Sequence, residues 1–178
     1  MKKILKLAFI LFLVSAIVAA VLGVVYVVTK PNIDAYATQK TIEAYSAVTD
    51  VTVDPSQTEE ITGNADGITK ITPCEDGNTY VVELTVTGSQ GAITLAVGVD
   101  KEAASCTGIS IISSSETSGL GAEASKDYFR DQFPGKDVDS VHITKDGGQI
   151  NAITGATITS RAVTNAASAA IDYVVSMG

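Results

Sequence analysis

Apolar residues are concentrated at the start of the chain, where Leu7 to Val28 form 22 consecutive positions without a formal charge. An α-helix rises about 1.5 Å per residue, so this stretch can cross the roughly 30 Å hydrocarbon core of a bilayer. We therefore predict a membrane anchor over residues 1–30. We expect its helix to end at Pro31, because proline cannot continue the interior of a helix.

The flanking charges predict how this anchor is oriented. Positively charged residues favour the cytoplasmic side of a membrane, and three lysines precede the apolar stretch: Lys2, Lys3 and Lys6. We therefore expect a single-pass protein of the cell membrane with a cytoplasmic N-terminus and residues 31–178 outside. A cleaved signal peptide is the alternative, with Val18-Ala19-Ala20 as a small-residue cleavage site. The apolar run continues eight residues beyond Ala20, which favours a retained anchor.

The segment after the anchor has a weaker pattern. Residues 34–48 combine Ala, Tyr and Ile at mixed spacing, which predicts a short juxtamembrane helix. Residues 50–78 are rich in Thr, Asp and Gly, and their short apolar pieces are typical of loops and edge strands. We interpret residues 31–78 as a juxtamembrane helix and an irregular segment.

Alternation of apolar and polar positions then predicts a sheet. It is clearest in a β-branched stretch that contains Val82, Leu84 and Val86. Strands are predicted over Thr79–Thr87, Ala92–Val99 and Ile109–Ile112, and a hairpin over Val141–Thr144 and Gln149–Ile153 across Asp146-Gly147-Gly148.

Helical periodicity closes the chain. Asp127–Phe133 is predicted to be a short helix before the Pro134-Gly135 break, and the last segment has apolar residues at three- and four-residue spacing from Val163 onward. Thr159 or Ser160 is the expected N-cap of that last helix. Strands followed by a terminal helix predict an α+β fold with a largely antiparallel sheet over residues 79–178.

Charge distinguishes the two parts of the chain. All twenty acidic residues lie after Lys30, whereas only eight of the twelve basic residues do, so residues 31–178 carry a formal charge of −12. Such a surface repels nucleic acid and anionic lipid. We therefore expect no nucleic-acid partner, and we expect the anchor alone to hold the protein at the membrane.

The cysteines give little support for a metal site. Cys74 and Cys106 lack Cys-x-x-Cys spacing and are accompanied by a single histidine, His142. No metal site and no catalytic Cys–His pair are expected from this set. The two thiols could pair in an oxidising compartment or stay separate.

One short segment before the last helix has the composition of a phosphate site. Small residues flanked by hydroxyls at a helix start leave backbone N–H groups and the positive end of the helix dipole open to an anion. Thr154-Gly155-Ala156-Thr157-Ile158-Thr159-Ser160 has this composition. An ordinary helix cap built from Thr and Ser is the alternative.

Asn151-Ala152-Ile153-Thr154-Gly155-Ala156-Thr157 resembles the flavinylation motif of the FMN-binding domain family, Asp-x-x-(Ser/Thr)-Gly-Ala-(Thr/Ser). A flavin transferase recognises that motif, and its last residue receives the FMN phosphate as a phosphoester. The resemblance implies covalent FMN on Thr157, with five neighbours in the cofactor site: Thr154, Gly155, Ala156, Thr159 and Ser160. Asn151 stands where the family motif has Asp. Lys145 or Arg161 is a candidate to offset the remaining phosphate charge.

A second stretch, Ser115 to Ala122, resembles the Glu-Thr-Pro-Gly-Leu-Gly segment of the same family, with Ser118 in place of Pro. In that family the segment faces the flavin ring. The resemblance implies the same role for Glu116, Thr117, Gly119, Leu120 and Gly121.

Together with the anchor, both motifs make the chain similar to the G-subunit family of Rnf complexes, the ion-translocating ferredoxin:NAD oxidoreductases. The resemblance implies a redox subunit that carries electrons on covalent FMN between flavin and iron–sulfur subunits and is not catalytic alone. No G-x-G-x-x-G follows a strand and no cysteine cluster is present, so we expect neither NAD nor an iron–sulfur cluster in this chain.

Three other functions fit parts of the sequence. The C subunit of the sodium-pumping NADH:quinone reductase shares the anchor and the motif, and a stand-alone flavinylated protein of extracellular electron transfer would share them too. A pilin-like structural protein also has one apolar helix before a β-rich domain. Pilins usually carry a Glu within that helix, and Leu7 to Val28 contains none.

Overall fold

Six strands form one sheet in the computed structural model, which describes residues 2–62, 66–116 and 121–177. Neighbouring strands are antiparallel and follow chain order, so the sheet is a meander. Its strands are β1 (Glu59–Glu60), β2 (Ile68–Pro73), β3 (Thr79–Thr87), β4 (Ala92–Asp100), β5 (Ser105–Ser114) and β6 (Lys136–Asp137). The helices are α1 (Lys2–Ser46), α2 (Asp127–Arg130) and α3 (Thr157–Ser176). The predicted α+β class and largely antiparallel sheet are confirmed.

Helix α1 continues through Pro31 to Ser46, so the expected end of the helix at Pro31 is wrong. Proline removes one backbone N–H from the helical ladder, but its φ of about −65° is itself helical. The helix predicted over residues 34–48 is therefore the continuation of the anchor helix. The described part of α1 is long and apolar enough to cross a membrane, and its apolar side chains from Leu7 to Val28 are exposed.

Contacts divide the chain into two units, Met1–Lys40 and Thr41–Gly178. The first unit is helical. The second contains the sheet, α2, α3 and the last residues of α1. Three short 3₁₀ segments connect its elements: Pro55–Gln57, Gly121–Ser125 and Thr144–Asp146.

The strand predictions are best where the β-branched pattern is strongest. Strand β3 has the predicted bounds, and β4 extends one residue further than predicted. Strand β5 is longer than the predicted Ile109–Ile112, because its polar ends also pair with β4, from Asp100↔Ser105 to Ile93↔Ser114.

The predicted second hairpin is wrong. The chain does reverse at Gly147, which has φ 95°, but Thr144–Asp146 is a 3₁₀ turn, and a single bridge joins Ile143 to Ile150. Both isoleucines are fully buried. The two isoleucines alternate with polar neighbours because they fix a loop to the core, and not because they belong to two paired strands.

Helix α3 covers one face of the sheet. Alternate residues of the central strands pack against it, including Val82, Leu84, Leu95 and Val97, all of which are fully buried. The same core contains Phe129 and Phe133, whose rings meet edge to face with centroids 5.4 Å apart. These two rings hold the short helix α2 and its following turn onto the end of the sheet.

Residues 44–48 cover the opposite face. Ala44, Tyr45 and Val48 pack on Val81 and Ala96, so the middle strands are buried on both faces. Close packing depends on two glycines that pair across β4 and β5, Gly98 and Gly108. A Cβ at Gly98 would collide with the Val48 carbonyl oxygen, and one at Gly108 would lie 3.2 Å from the Val48 Cα.

Polar contacts support the same packing. The Thr107 hydroxyl donates to the Val48 carbonyl over 2.6 Å. The Tyr45 hydroxyl donates to Glu83 Oε2 over 3.3 Å, and Lys70 Nζ lies 3.7 Å from Glu83 Oε1. Burial, followed by the charge of Glu83, raises the pKa of Tyr45 to about 12. The phenol therefore stays protonated and remains a donor.

The two thiols are both buried and unbonded. Cys74 belongs to the cluster under residues 44–48, whereas Cys106 belongs to the core under α3. They lie in separate clusters, so the disulfide considered from the sequence is not formed in this fold.

We predict that Gly98→Ala destabilises the full chain in detergent by about 1–3 kcal/mol, because the new methyl group would collide with the Thr107 hydroxyl and with the Val48 carbonyl oxygen. Gly108→Ala is the matched control, since its methyl group would make a looser contact, and its cost should be clearly smaller. Thermal unfolding followed by circular dichroism measures both. Equal costs for the two variants would show that Val48 is not held against Gly98 as described.

Candidate functional site

Helix α3 begins at Thr157, which places this threonine at the first helical position. The N-cap is Ala156, and no side chain caps it. The expectation that Thr159 or Ser160 is the N-cap is wrong, because both residues lie inside the first turn and are fully buried.

The Ser160 hydroxyl shapes the loop before the helix instead. Its Oγ accepts from the Ile153 N–H and donates to the Ala156 carbonyl, both over 2.9 Å. Gly155, within this loop, has φ 80°, a left-handed conformation that glycine adopts without strain. The buried Ser160 side chain and the left-handed conformation of Gly155 therefore fix the point at which the loop ends and the helix begins.

Thr157 is half-exposed, and Thr154 and Gly155 before it are exposed. The first helical hydrogen bond runs from the Ser160 N–H to the Ala156 carbonyl, so the three preceding N–H groups lie outside the helical ladder. A half-exposed threonine and N–H groups outside the helical ladder, at the positive end of a 20-residue helix, favour binding of a phosphate.

Glu116 lies between this first turn and the turn that follows β3. Its Oε1 accepts from the backbone N–H groups of Gln90 and Gly91, over 2.9 and 3.3 Å. Its Oε2 accepts from the Thr159 hydroxyl over 2.9 Å. The bond from Gln90, with those from Thr159 and Gly91, lowers the pKa of this carboxyl. Sequence reasoning missed this arrangement, since nothing in the two motifs shows which donors surround the carboxylate.

Gly121 also lies at Glu116, because a Cβ on it would collide with the Glu116 side chain. The other residues of the predicted ring-facing segment, Thr117, Gly119 and Leu120, lie outside the described residues. The assignment of this segment to the flavin ring stays a prediction.

A cavity of about 750 Å³ opens beside the motif. It is lined by Thr154 and Asn151 on one side and by Tyr128 and Gln132 on the other. Tyr128 is 57% exposed. A cavity of this size is in the range of cofactor sites.

Gln132 joins α2 to the beginning of the motif. Its Oε1 accepts from the Asn151 N–H over 2.8 Å, and its Nε2 lies 3.4 Å from the Asn151 carbonyl. The side-chain amide thus pairs with the backbone as a strand would. Spacing in the sequence predicted neither this contact nor the cavity behind it.

The Arg161 guanidinium is paired with Asp146, through contacts of 2.6 and 3.0 Å. This ion pair lowers the pKa of Asp146 and raises that of Arg161. Arg161 is therefore already engaged, and its suggested role in offsetting a phosphate charge would require a shared contact.

The residues present fit an FMN group. They provide an accessible hydroxyl at a helix start, unbonded first-turn N–H groups, a glycine that leaves the backbone open, and an adjacent cavity with an exposed aromatic ring. Thr154, Gly155, Ala156 and Thr157 would hold the phosphate end.

Comparison with known proteins gives three findings. Residues 88–172 match the FMN-binding domain family. The chain is 34% identical, over 97% of its length and 95% of the relative, to the G subunit of an ion-translocating oxidoreductase complex from Methanosarcina acetivorans. It is 37% identical, over 86% of its length and 82% of the relative, to the G subunit of a proton-translocating ferredoxin:NAD(+) oxidoreductase complex from Clostridium ljungdahlii.

Among solved structures, the fold is similar to the C subunit of the Na(+)-translocating NADH-quinone reductase from Parabacteroides distasonis. The TM-score is 0.49 at 23% identity, and the match covers 73% of this chain and 79% of that chain.

We predict that Ser160→Ala destabilises the full chain by about 1–3 kcal/mol, because the buried Ile153 N–H loses its acceptor. Ser160→Thr keeps the hydroxyl and serves as the control for side-chain chemistry. Thermal unfolding in detergent measures both variants. A Ser160→Ala midpoint equal to that of wild type would show that the hydroxyl does not bridge the loop and the helix.

We also predict an acid-dependent contribution from Glu116. Its folded-state pKa is lowered from 4.5, so its stabilising effect is complete above that value and is lost as pH falls through the folded pKa. Wild type should therefore lose more of its stability than Glu116→Gln between about pH 7 and about pH 3. Thermal midpoints across this range measure the difference, and parallel curves for the two proteins would contradict the prediction.

Proposed function

Since this chain belongs to the family of G subunits of ion-translocating oxidoreductase complexes, we propose that it is an electron-carrying subunit of a membrane-bound ferredoxin:NAD oxidoreductase. We further propose that FMN is attached covalently to Thr157. When bound, FMN supplies a ring that takes up and releases electrons. The protein's part is to attach the group, orient it and set its electrostatic surroundings.

The position of Thr157 carries this proposal. It is the first residue of α3, it is half-exposed, and it follows a loop whose shape depends on Gly155 and on the buried Ser160 hydroxyl. The other two hydroxyls of this turn, on Thr159 and Ser160, are buried and hydrogen-bonded. Thr157 is the hydroxyl of this turn that a second protein can reach.

Attachment requires an activated phosphate. Direct esterification by free FMN would have to release water, whereas a flavin dinucleotide carries the FMN phosphate in an anhydride. The Thr157 Oγ–P bond would form to the FMN phosphorus as the anhydride P–O bond breaks. The other nucleotide of the dinucleotide would leave as its monophosphate, and the hydroxyl proton would pass to a base of the transferase. This chain would supply the nucleophile and the first-turn N–H groups that stabilise charge on the phosphoryl oxygens.

The anchor would locate this chemistry at a membrane. The apolar part of α1 would cross the bilayer once with the basic N-terminus in the cytoplasm, since three lysines precede it and the following sequence is acidic. The domain formed by the sheet would then lie outside the cell membrane. A covalent linkage suits that location, because a dissociating cofactor would be lost to the surroundings.

Two kinds of partner follow from the proposal. A flavin transferase would load the domain, and other membrane subunits would donate and accept electrons. Relatives of this chain are named as subunits of such complexes, and the chain alone is not proposed to catalyse a complete reaction.

We predict that wild type co-expressed with a flavin transferase gives a fluorescent band after denaturing electrophoresis, because a phosphoester survives unfolding. Thr157→Ala should give a dark band, with at least about a 100-fold loss of signal, since it removes the nucleophile. Thr157→Ser is the matched control and should remain fluorescent, because it keeps a hydroxyl at the same helical position.

Two results would oppose the proposal. A dark wild-type band in the presence of active transferase would mean that the segment is only a helix start, for example because Asn151 replaces the usual Asp. A fluorescent Thr157→Ala band would place the attachment on another residue.

A further inference from the structure

We propose that the Glu116 carboxylate is a positioning group for flavin attachment. It joins the first turn of α3 to the turn after β3 and so holds Thr157 in the orientation in which its hydroxyl is transferred. This inference rests on the proposed attachment to Thr157 and adds a residue outside the motif that the transferase reads.

The geometry brings Glu116 into contact with Thr159, which lies 43 residues later in the chain. One carboxylate oxygen accepts from two consecutive N–H groups of the 88–91 turn, and the other accepts from the Thr159 hydroxyl. The middle strands of this sheet are buried on both faces. The Glu116 side chain thus transmits the position of the sheet to the beginning of the helix.

Glycines make the space for this side chain. A Cβ at Gly88 would collide with the Glu116 carboxylate, and a Cβ at Gly121 would collide with both the carboxylate and the aliphatic part of the side chain. Gly88 does not have a positive φ. A side chain at either glycine would compete for the space that Glu116 occupies, and one at Gly88 would also collide with the Ile93 side chain.

The helix start depends on this contact because its N-cap residue, Ala156, offers no side-chain hydrogen bond. Ser160 ties the turn to the preceding loop, and Thr159 ties it to Glu116. Thr159 and Thr157 share the same turn, yet the Thr159 hydroxyl is buried in its bond to Glu116 while Thr157 is half-exposed. The two threonines therefore have different roles: Thr159 holds the first turn in position, and Thr157 is left to react.

Substitutions of Glu116 that change the length or the charge of its side chain distinguish a positioning role from a general effect of negative charge. Glutamine has the same length and keeps one oxygen for the turn, while its amide group can donate to Thr159. Aspartate keeps the charge but is one methylene shorter. A positioning role thus predicts that Glu116→Gln is tolerated better than Glu116→Asp, whereas a purely electrostatic role predicts the opposite order.

The test is the rate of flavin attachment to the full chain in detergent, measured with purified transferase and flavin dinucleotide by in-gel fluorescence. Five variants are compared with wild type: Glu116→Ala, Glu116→Gln, Glu116→Asp, Thr159→Val and the double variant Glu116→Ala/Thr159→Val. Thr107→Val is the matched control. It also removes one threonine hydroxyl hydrogen bond, the one to the Val48 carbonyl, but this bond lies on the opposite face of the sheet. All rates are taken below the unfolding temperature of each protein.

We expect Glu116→Ala to lower kcat for attachment about tenfold or more, equivalent to about 1.4 kcal/mol, with a smaller change in KM. Glu116→Gln should stay within about threefold of wild type, and Glu116→Asp should fall between these two. Adding Glu116→Ala to Thr159→Val should cost little beyond Thr159→Val alone, because both changes break one contact. Thr107→Val should attach flavin at the wild-type rate.

Each contrary outcome overturns the inference. A wild-type kcat for Glu116→Ala would mean that the carboxylate does not position Thr157. Equal slowing by Thr107→Val would assign the effect to loss of stability, and independent effects of the Glu116 and Thr159 changes would exclude action through Thr159. Failure of the proposed function is recognised separately, as an unlabelled wild type or a labelled Thr157→Ala.

Discussion

Burial of the middle strands on both faces is the constraint on which the rest of the structure depends. Strands β3, β4 and β5 place apolar residues alternately toward α3 and toward residues 44–48. A sheet that is apolar on both sides needs a cover on each side. Helix α3 provides one cover and the end of α1 provides the other. The close approach of Val48 to Gly98 and Gly108 makes this second cover specific to one position.

This arrangement also positions the candidate site. Helix α3 is held along its length by Val163, Ala167 and Ile171, which are fully or almost fully buried against the sheet. Polar bonds hold its first turn. A first turn fixed by Ser160 and Glu116 leaves the Thr157 side chain accessible without leaving the backbone mobile. Accessibility and order at one residue are both needed where a second protein must find a nucleophile in a defined geometry.

Sequence patterns predict the elements whose stability is local or repetitive. The bounds of strand β3 follow from the pattern to the residue because nine consecutive positions favour extended backbone. Patterns fail where long-range packing decides. Ile143 and Ile150 look like strand residues but are loop anchors in the core, and Pro31 looks like a helix end but is accommodated. Thr159 and Ser160 have the composition of a cap, yet burial assigns them to bonds with Glu116 and Ala156. A hydroxyl in a sequence does not show which partner it meets, so the proposed acceptor threonine came from family resemblance and its surroundings came only from the fold.

The three hydroxyls of the first turn differ in accessibility, and this difference limits which of them a second protein can modify. Thr157, Thr159 and Ser160 lie within four residues, and all three are chemically able to form a phosphoester. Only Thr157 is accessible, since Thr159 and Ser160 have no exposed surface. Selection of one hydroxyl therefore need not depend on recognition by the transferase alone, because the fold has already removed the other two. The two buried hydroxyls also fix the helix start on which the accessible one stands. Their conversion to apolar residues would affect attachment through the position of Thr157 rather than through a lost contact with flavin. The motif is in this sense a reactive residue together with the internal bonds that present it.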